Sequence, residues 1–568
     1  MVDAGWKQWL RENRVPLLFL LIMLLAAPMR GLWAPDEPNF AQCVREMREG
    51  GEWLLPYFNG RPYNEKPILF YWAMKCSAIL CDKLTGGLGF VNGISAWALR
   101  LPSVFAAGVF VFAMRRWAAR FADRAYSEIC AIVLAATAIW IWQAQFIQID
   151  MLFSVLVAWS WLAWLGGYLL LRGEAAPKHP NEARTWFFMS YASLGLAFLA
   201  KGPLAIVLSV PVIAAFILWQ RDWKAIRQMS PLWGALILLV VISPWYIAAA
   251  VKGGADYAYN LLIYQNFGRA LNAWAHVQPW WRYARYIAGD LMPWTLLLPF
   301  LAVFLFKGRK QLNSASRFVT LAMVVPVLVL SCSQSKQGKY VLMIYPFIAM
   351  AMGQMLHRFA NEIAPKVARW INALYATLFG LIGLAALVVV FAGGRVTQML
   401  IPGYRGPVAA ISLILLLGAG LFAIGATKRT TRNLVRNMGI TVGLLFLVGG
   451  TWGFRVLDLQ KGYGAWTEKV KPLITGKQVY FWQPNHLRDI SAGAMIYTDN
   501  MVMPEIRSAE ELEKLPAGTY LVASERDWPQ DQGGLTDAGR AMFSTAVKMP
   551  IGGAGLVLME KTGANGTS

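Results

Sequence analysis

The amino-acid sequence predicts a polytopic all-α membrane protein of about thirteen transmembrane helices, with interfacial helices on its outer face and a small C-terminal α/β domain outside the membrane. Three observations carry this. Of 568 residues, 57% are apolar and 15% charged, where a soluble domain carries roughly 25% charged residues. About thirteen stretches approach the ~20 apolar residues that a span needs. From residue 456 onward, short apolar runs alternate with a charged, helical-looking stretch.

The net charge of +22 does not point to nucleic acid, because no basic, aromatic-rich soluble module of the RNA- or DNA-binding kind is present. In so apolar a chain a basic balance reflects cytoplasmic loops and anionic lipid headgroups, so membrane lipid is the expected partner. Cys43, Cys76, Cys81, Cys130 and Cys332 lack metal spacing and imply no disulfide framework. Residues 15–27, VPLLFLLIMLLAA, have the length of a signal-peptide core, but no A-x-A-type site follows and apolar character resumes through Leu32 and Trp33. A retained first span is expected.

In order, the candidate spans lie near 15–33, 95–114, 126–147, 151–171, 186–200, 203–219, 231–251, 284–306, 318–331, 340–356, 371–393, 407–425 and 438–454. With the N-terminus inside, alternate loops hold Arg115, Arg116, Arg120 and Arg124; Arg172, Lys178 and Arg184; Arg221, Lys224 and Arg227; Lys307, Arg309 and Lys310; Arg358, Lys366 and Arg369; and Lys428, Arg429, Arg432 and Arg436. Short loops rich in Lys and Arg stay in the cytoplasm, so one alternation places all six inside and the C-terminal segment outside.

That alternation requires residues 67–82, PILFYWAMKCSAILCD, not to cross. They begin at a Pro suited to a first helical turn and carry Lys75 mid-way, as an interfacial helix would. Segment 34–94 then holds a second such helix, around AQCVREMREGGEW, stopped by Gly-Gly. Beyond 456 the runs QVYFW, GAMIYT, TYLVASE and GLVLME flank SAEELEKL, giving domains of 1–455 and 456–568.

Sorting the charges by side exposes a coincidence. APDEP supplies Asp36 and Glu37, NEKP supplies Glu65 and Lys66, QID supplies Asp150 and AKGP supplies Lys201; YQNFGRAL carries Arg269, and SQSKQGKY carries Lys336 and Lys339 before Tyr340. All face outward, where Lys and Arg should be scarce and charges near span ends are costly. They describe a polar cavity for an anionic guest, phosphate being what Lys and Arg most often clamp. Each motif also has a local reading: Asp36 and Glu37 as helix caps, Glu65 and Lys66 as a surface pair, Asp150, Lys201 and Lys336 as turn chemistry, and Arg100 in WALRLP as a snorkelling side chain. Of four histidines only His276 falls near the cavity, so a zinc-hydrolase cluster is not expected. A divalent cation such as zinc or magnesium on Asp36 and Glu65 stays open, because hard cations accept carboxylates alone.

Together the APDEP loop, NEKP before an interfacial helix, the KGP turn, the SxxK segment before a Tyr and the distal extramembrane domain resemble the GT-C glycosyltransferases that use polyprenyl-phosphate sugar donors. Within them the chain is most similar to the bacterial 4-amino-4-deoxy-L-arabinose transferases, over residues 30–350. The resemblance implies a GT-C-type fold, an undecaprenyl-phosphate-linked donor, a lipid A acceptor, a monomer in the bacterial inner membrane and no required cofactor. It implies Asp36 as the catalytic carboxylate, Asp150 as a second outer-loop acid, and substrate contacts at Tyr63, Glu65, Lys66, Arg100, Lys201, Arg269, Lys336 and Tyr340, with Glu65 as a metal position. The chain departs from the family pattern at Asn266, where a His precedes the Arg of the long outer loop, and at Gln337 and Gly338, where Leu-Pro follows the Lys. A protein O-mannosyltransferase shares the pattern but needs a peptide groove. A transporter would need mid-span charges and repeated broken helices, and the sequence contains no such repeat.

In a cysteine-free background, a cysteine introduced near Asn59 should react with an impermeant reagent added outside, and one near Arg120 should not. The reverse pattern would overturn the topology.

Overall fold

The computed structural model describes residues 2–562 apart from 269–276, 363–364, 393–401, 429–430, 483–490, 526–527, 529–536 and 552–553. Each of the thirteen expected spans coincides with a helix, but not all are simple ones. Eight described helices are long and apolar enough to cross by themselves, and three bent pairs bring the total to 11. Leu204–Gln220 is apolar but short, and Glu182–Lys201 carries charge at both ends. The bends have local causes. Met292 O accepts the Ala138 amide where Arg124–Ala135 turns by 65° into Ala138–Ala144, and Pro293 interrupts the ladder at the 114° turn between Arg282–Asp290 and Trp294–Gly308.

Helix Ile149–Leu171 is the centre of the bundle, because it is apolar on every side and buried along most of its length. Trp161 and Trp164 are fully buried on it. Trp164 stacks on Phe318 and meets Phe216 edge-on, each with ring centroids 5.6 Å apart, and Trp161 donates its indole N–H to Ser209 Oγ at 2.8 Å. The central helix is thereby locked to Leu204–Gln220 and Ser314–Ser331.

The first outer segment contains the two expected helices, Asp36–Glu49 and Leu69–Thr85, and neither is among the span candidates. Lys75, read as the mark of an interfacial helix, does not face the headgroups. It is buried, its ammonium donating to the Met47 and Glu52 carbonyls at 2.7 and 2.6 Å and lying over the Trp53 ring, which fastens the two helices together. The second helix begins at Leu69, later than expected, so Glu65 and Lys66 belong to the preceding loop and not to its first turn. Pro67 keeps Lys66 out of the helix, since it disfavours helical dihedrals at the residue before it.

The segment is anchored by Glu37, which is fully buried. Its carboxylate accepts from Arg30 at 2.5 and 3.0 Å, from Arg100 at 3.0 and 2.9 Å, and from the Trp33 and Ile147 amides at 2.9 and 3.1 Å. Arg100 spends its other N–H groups on the Ala27, Arg30 and Gly31 carbonyls. The substrate contact expected of Arg100 is thereby corrected: with every guanidinium nitrogen engaged inside the protein, it holds the loop. Capping does not describe Glu37 either.

The last membrane helix continues past residue 455 to Lys461, and an extended Gly462 separates it from the helix Gly464–Ile474 that leads to the sheet. The strands β3 (Val479–Trp482), β4 (Glu505–Ile506), β5 (Tyr520–Ser524), β6 (Phe543–Ile551) and β7 (Ala554–Lys561) lie in the order β4-β3-β5-β7-β6, with β3 parallel to β4 and β5 and the other pairs antiparallel; β1 (Tyr57–Phe58) and β2 (Arg61–Pro62) form a separate hairpin. GAMIYT, read as one of the short runs of the α/β tail, is the helix Ser491–Tyr497, which packs on Asp36–Glu49. Arg45 ties the two together, pairing with Asp499 at 2.6 Å and donating to the Asn500 carbonyl. Asp458 adds a second tie, accepting from Gly31 N and Trp33 Nε1.

Burial alone would raise the Glu37 carboxyl, but Arg100 and Arg30 outweigh it and hold it down to about 2. Its folded value lies below the unfolded one, so its contribution to stability is present above the unfolded value of about 4.3 and is lost as pH falls towards 2. Glu37→Gln strands two buried guanidinium groups and should cost ~3–5 kcal/mol in detergent unfolding at pH 7. It should also flatten the acid fall in stability, and an unchanged profile would contradict the anchoring role.

Candidate functional site

Asp36 and Asp150 each stand at the start of a helix. Asp36 opens Asp36–Glu49 and Asp150 lies in the first turn of Ile149–Leu171, where unsatisfied N–H groups favour negative charge. Lys201 ends Glu182–Lys201, where a cation is favoured, and Gly202 at φ 81° lets the chain turn sharply into Pro203. Only Lys339 runs against the rule, since it sits at the head of the 3-10 turn Gly338–Ile344 that leads into the next span.

These residues meet in one line of alternating charge. Asp36 Oδ2 accepts from Lys339 Nζ and from Gln148 Nε2, both at 2.8 Å. Lys339 lies 4.0 Å from Asp150 Oδ2, and Asp150 Oδ1 pairs with Lys201. The Lys201 ammonium also lies over the Tyr340 ring, 4.6 Å from its centroid. Lys66 stands close enough to Asp150 to act on its carboxylate. Asp150 is 5% exposed and Asp36 36%, so the line runs from a closed end towards an open one. Tyr63 donates to Glu65 Oε2 at 3.0 Å, and its ring packs on Phe58 and Tyr71 at the edge of the group.

Asp36, Lys66, Asp150, Lys201 and Tyr340 are thus gathered as the sequence suggests, and Tyr63 and Glu65 share the loop that holds Lys66. Arg269 and His276 lie outside the described residues. Lys336 is corrected. It is buried, and its ammonium donates to the Ser333 and Gln278 carbonyls, so it secures the loop while Lys339 delivers the charge. The departure at Gly338 has a steric reason, because a Cβ there would come within 3.0 Å of Asp290 Oδ2, which accepts from Tyr345. Sequence reasoning counted Lys339 among the outer cations without giving it a role, and missed Gln148 and Arg30 altogether.

The described donors do not fit a divalent ion. Among the described residues no three His, Cys, Asp or Glu side chains come together as ligands, and Asp36 and Glu65 have other partners. The described charges cancel, with three ammonium groups against three carboxylates, and the helix N-termini at Asp36 and Asp150 add positive potential. Such a site exchanges one anionic partner for another at little cost. That suits a phosphate that enters and leaves.

Comparisons with known proteins bear on the fold and the family resemblance. A model of the dolichyl-phosphate-mannose-protein mannosyltransferase family matches residues 17–253. The chain is 28% identical over 421 residues to the undecaprenyl phosphate-α-4-amino-4-deoxy-L-arabinose arabinosyl transferase of Pseudomonas aeruginosa, covering 72% of this chain and 70% of that one. It is 27% identical over 425 residues to the protein of the same name in Serratia proteamaculans, covering 73% and 72%. The crystal structure of ArnT from Cupriavidus metallidurans bound to undecaprenyl phosphate superposes over the whole of both chains, with a TM-score of 0.73 at 18% identity. An oligosaccharyltransferase from Archaeoglobus fulgidus matches at 0.52 and 11% identity, over 92% of this chain and 70% of that one. The fold is therefore of the GT-C type, and the resemblance carried by the APDEP, NEKP and KGP motifs is borne out.

Proposed function

We propose that this chain is an integral membrane glycosyltransferase that moves 4-amino-4-deoxy-L-arabinose from undecaprenyl phosphate to a lipid A phosphate. It works as a monomer at the periplasmic face of the bacterial inner membrane, with its N-terminus cytoplasmic and its C-terminal sheet periplasmic. The observation that carries the reading is the line Asp36–Lys339–Asp150–Lys201, with Lys66 beside it, at the outer helix ends.

The chemistry follows from the charges. An acceptor phosphate oxygen attacks the anomeric carbon as its bond to the undecaprenyl phosphate oxygen breaks, and the bonding pair leaves with that phosphate. Lys66 and Lys201 receive the departing anion. The attacking oxygen is already negative, so no proton has to be removed, and Asp36 orients the acceptor and stabilises positive character at the anomeric carbon. One displacement inverts that centre. Tyr63, Glu65 and Tyr340 shape the sugar pocket, and no step passes through a metal. The protein mannosyltransferase reading draws on the matched family model, and differs in needing a peptide hydroxyl and a base to deprotonate it.

The test is transfer by the purified chain from undecaprenyl-phosphate aminoarabinose to lipid A, with dolichyl-type mannose donors and a Ser/Thr peptide as the comparison. Transfer to lipid A is expected, and Asp36→Asn should lower it ~10²-fold or more while the protein stays folded. Mannosylation of the peptide alone would replace this reading with the second one. An Asp36→Asn enzyme working at the normal rate would remove Asp36 from the chemistry.

A further inference from the structure

Lys339 is placed at a cost that something must offset. It stands at the positive end of the turn Gly338–Ile344, where a cation is disfavoured, and its side chain is 20% exposed. Its ammonium reaches across to two other elements, bonding Asp36 of the first outer segment at 2.8 Å and standing 4.0 Å from Asp150 of the central helix. Those carboxylates are 114 positions apart in the chain and repel each other unless a cation stands between them.

The other charged groups around it leave that role to Lys339. Lys201 is taken up by Asp150 and the Tyr340 ring, Lys66 acts on Asp150 from the loop before Leu69, and Lys336 is bonded to carbonyls. Asp290 Oδ2 stands against Gly338 and accepts from Tyr345, and the Tyr286 ring beside it packs on Tyr283. Among the described residues the Asp36 carboxylate accepts from the side chains of Lys339 and the neutral Gln148. Gln148 aims the carboxylate but supplies no charge.

We propose that Lys339 is a positioning residue for the transfer, aiming the Asp36 carboxylate by standing between it and Asp150. This rests on the function proposed above. In the resting protein Lys339 neutralises Asp36, so an incoming acceptor meets an oriented carboxylate without the repulsion of a bare pair of acids. The donor phosphate is left to Lys66 and Lys201.

Steady-state transfer by the unaltered chain, Lys339→Met, Lys339→Arg, Asp36→Asn and the double variant Asp36→Asn with Lys339→Met tests this, each checked for monodispersity in detergent. Failure of the unaltered chain to transfer would count against the proposed function itself, before any variant is considered. If it transfers, Lys339→Met should lower kcat ~10-fold with donor KM within about threefold, and Lys339→Arg should restore it. In the Asp36→Asn background Lys339→Met should cost little more, because the carboxylate it aims is already gone. A loss that arginine does not restore, or one that adds in full to that of Asp36→Asn, would overturn the proposal. A raised donor KM with kcat intact would overturn it too, making Lys339 a phosphate clamp.

Discussion

One buried carboxylate organises the outer half of this protein. Glu37 accepts from Arg30, Arg100 and two backbone amides, one of which, Ile147, belongs to the turn that leads into Gln148 and Asp150. Its sequence neighbour is Asp36. A single ion cluster therefore sets where both acids of the site stand, one residue away on one side and three on the other. Two guanidinium groups around one carboxylate leave a net positive charge in the interior, offset by Asp458 and by the Trp33 and Phe146 rings, 4.1 and 4.4 Å from Arg30. Removing one member strands the others, which makes the cluster a constraint on geometry more than a source of stability.

The same cluster links the membrane bundle to the C-terminal sheet. Asp458 bonds the Gly31–Trp33 loop, Tyr497 accepts from the Leu32 amide, and Arg45 holds the Asp499 turn. The extramembrane part thus rests on the helix that begins with Asp36, and any shift there is felt at the head of the site. The charge line itself is more adaptable: its pairs are matched, partly exposed at the Asp36 end, and made by long lysine side chains that can change partner when a phosphate arrives.

Much of this was legible in the sequence. Long apolar periods mark helices by composition alone, and the loop cations order them, so the candidate spans and the interfacial helix around Leu69–Thr85 could be read directly. The gathering of Asp36, Lys66, Asp150 and Lys201 followed from their common side. What was hidden depends on partners far apart in the chain. Arg100 reads as a snorkelling cation because nothing local shows Glu37, 63 positions earlier, waiting for it. Lys336 and Lys339 are equivalent as letters, and only the turn that begins between them decides which faces the acids. GAMIYT is apolar enough for a strand, but its small residues let a short helix pack closely on Asp36–Glu49.

The central claim is that a polyprenyl phosphate is held at the outer helix ends beside Asp36. A cryo-EM map of the protein in nanodiscs with undecaprenyl phosphate tests this most directly. The account predicts the phosphate within ~3 Å of the Lys66 or Lys201 ammonium, with Asp36 still bonded to Lys339 or Gln148. A phosphate seated instead on the opposite side of the bundle, in the cavity of about 720 Å³ lined by Lys307, Arg358 and Phe359, would contradict it.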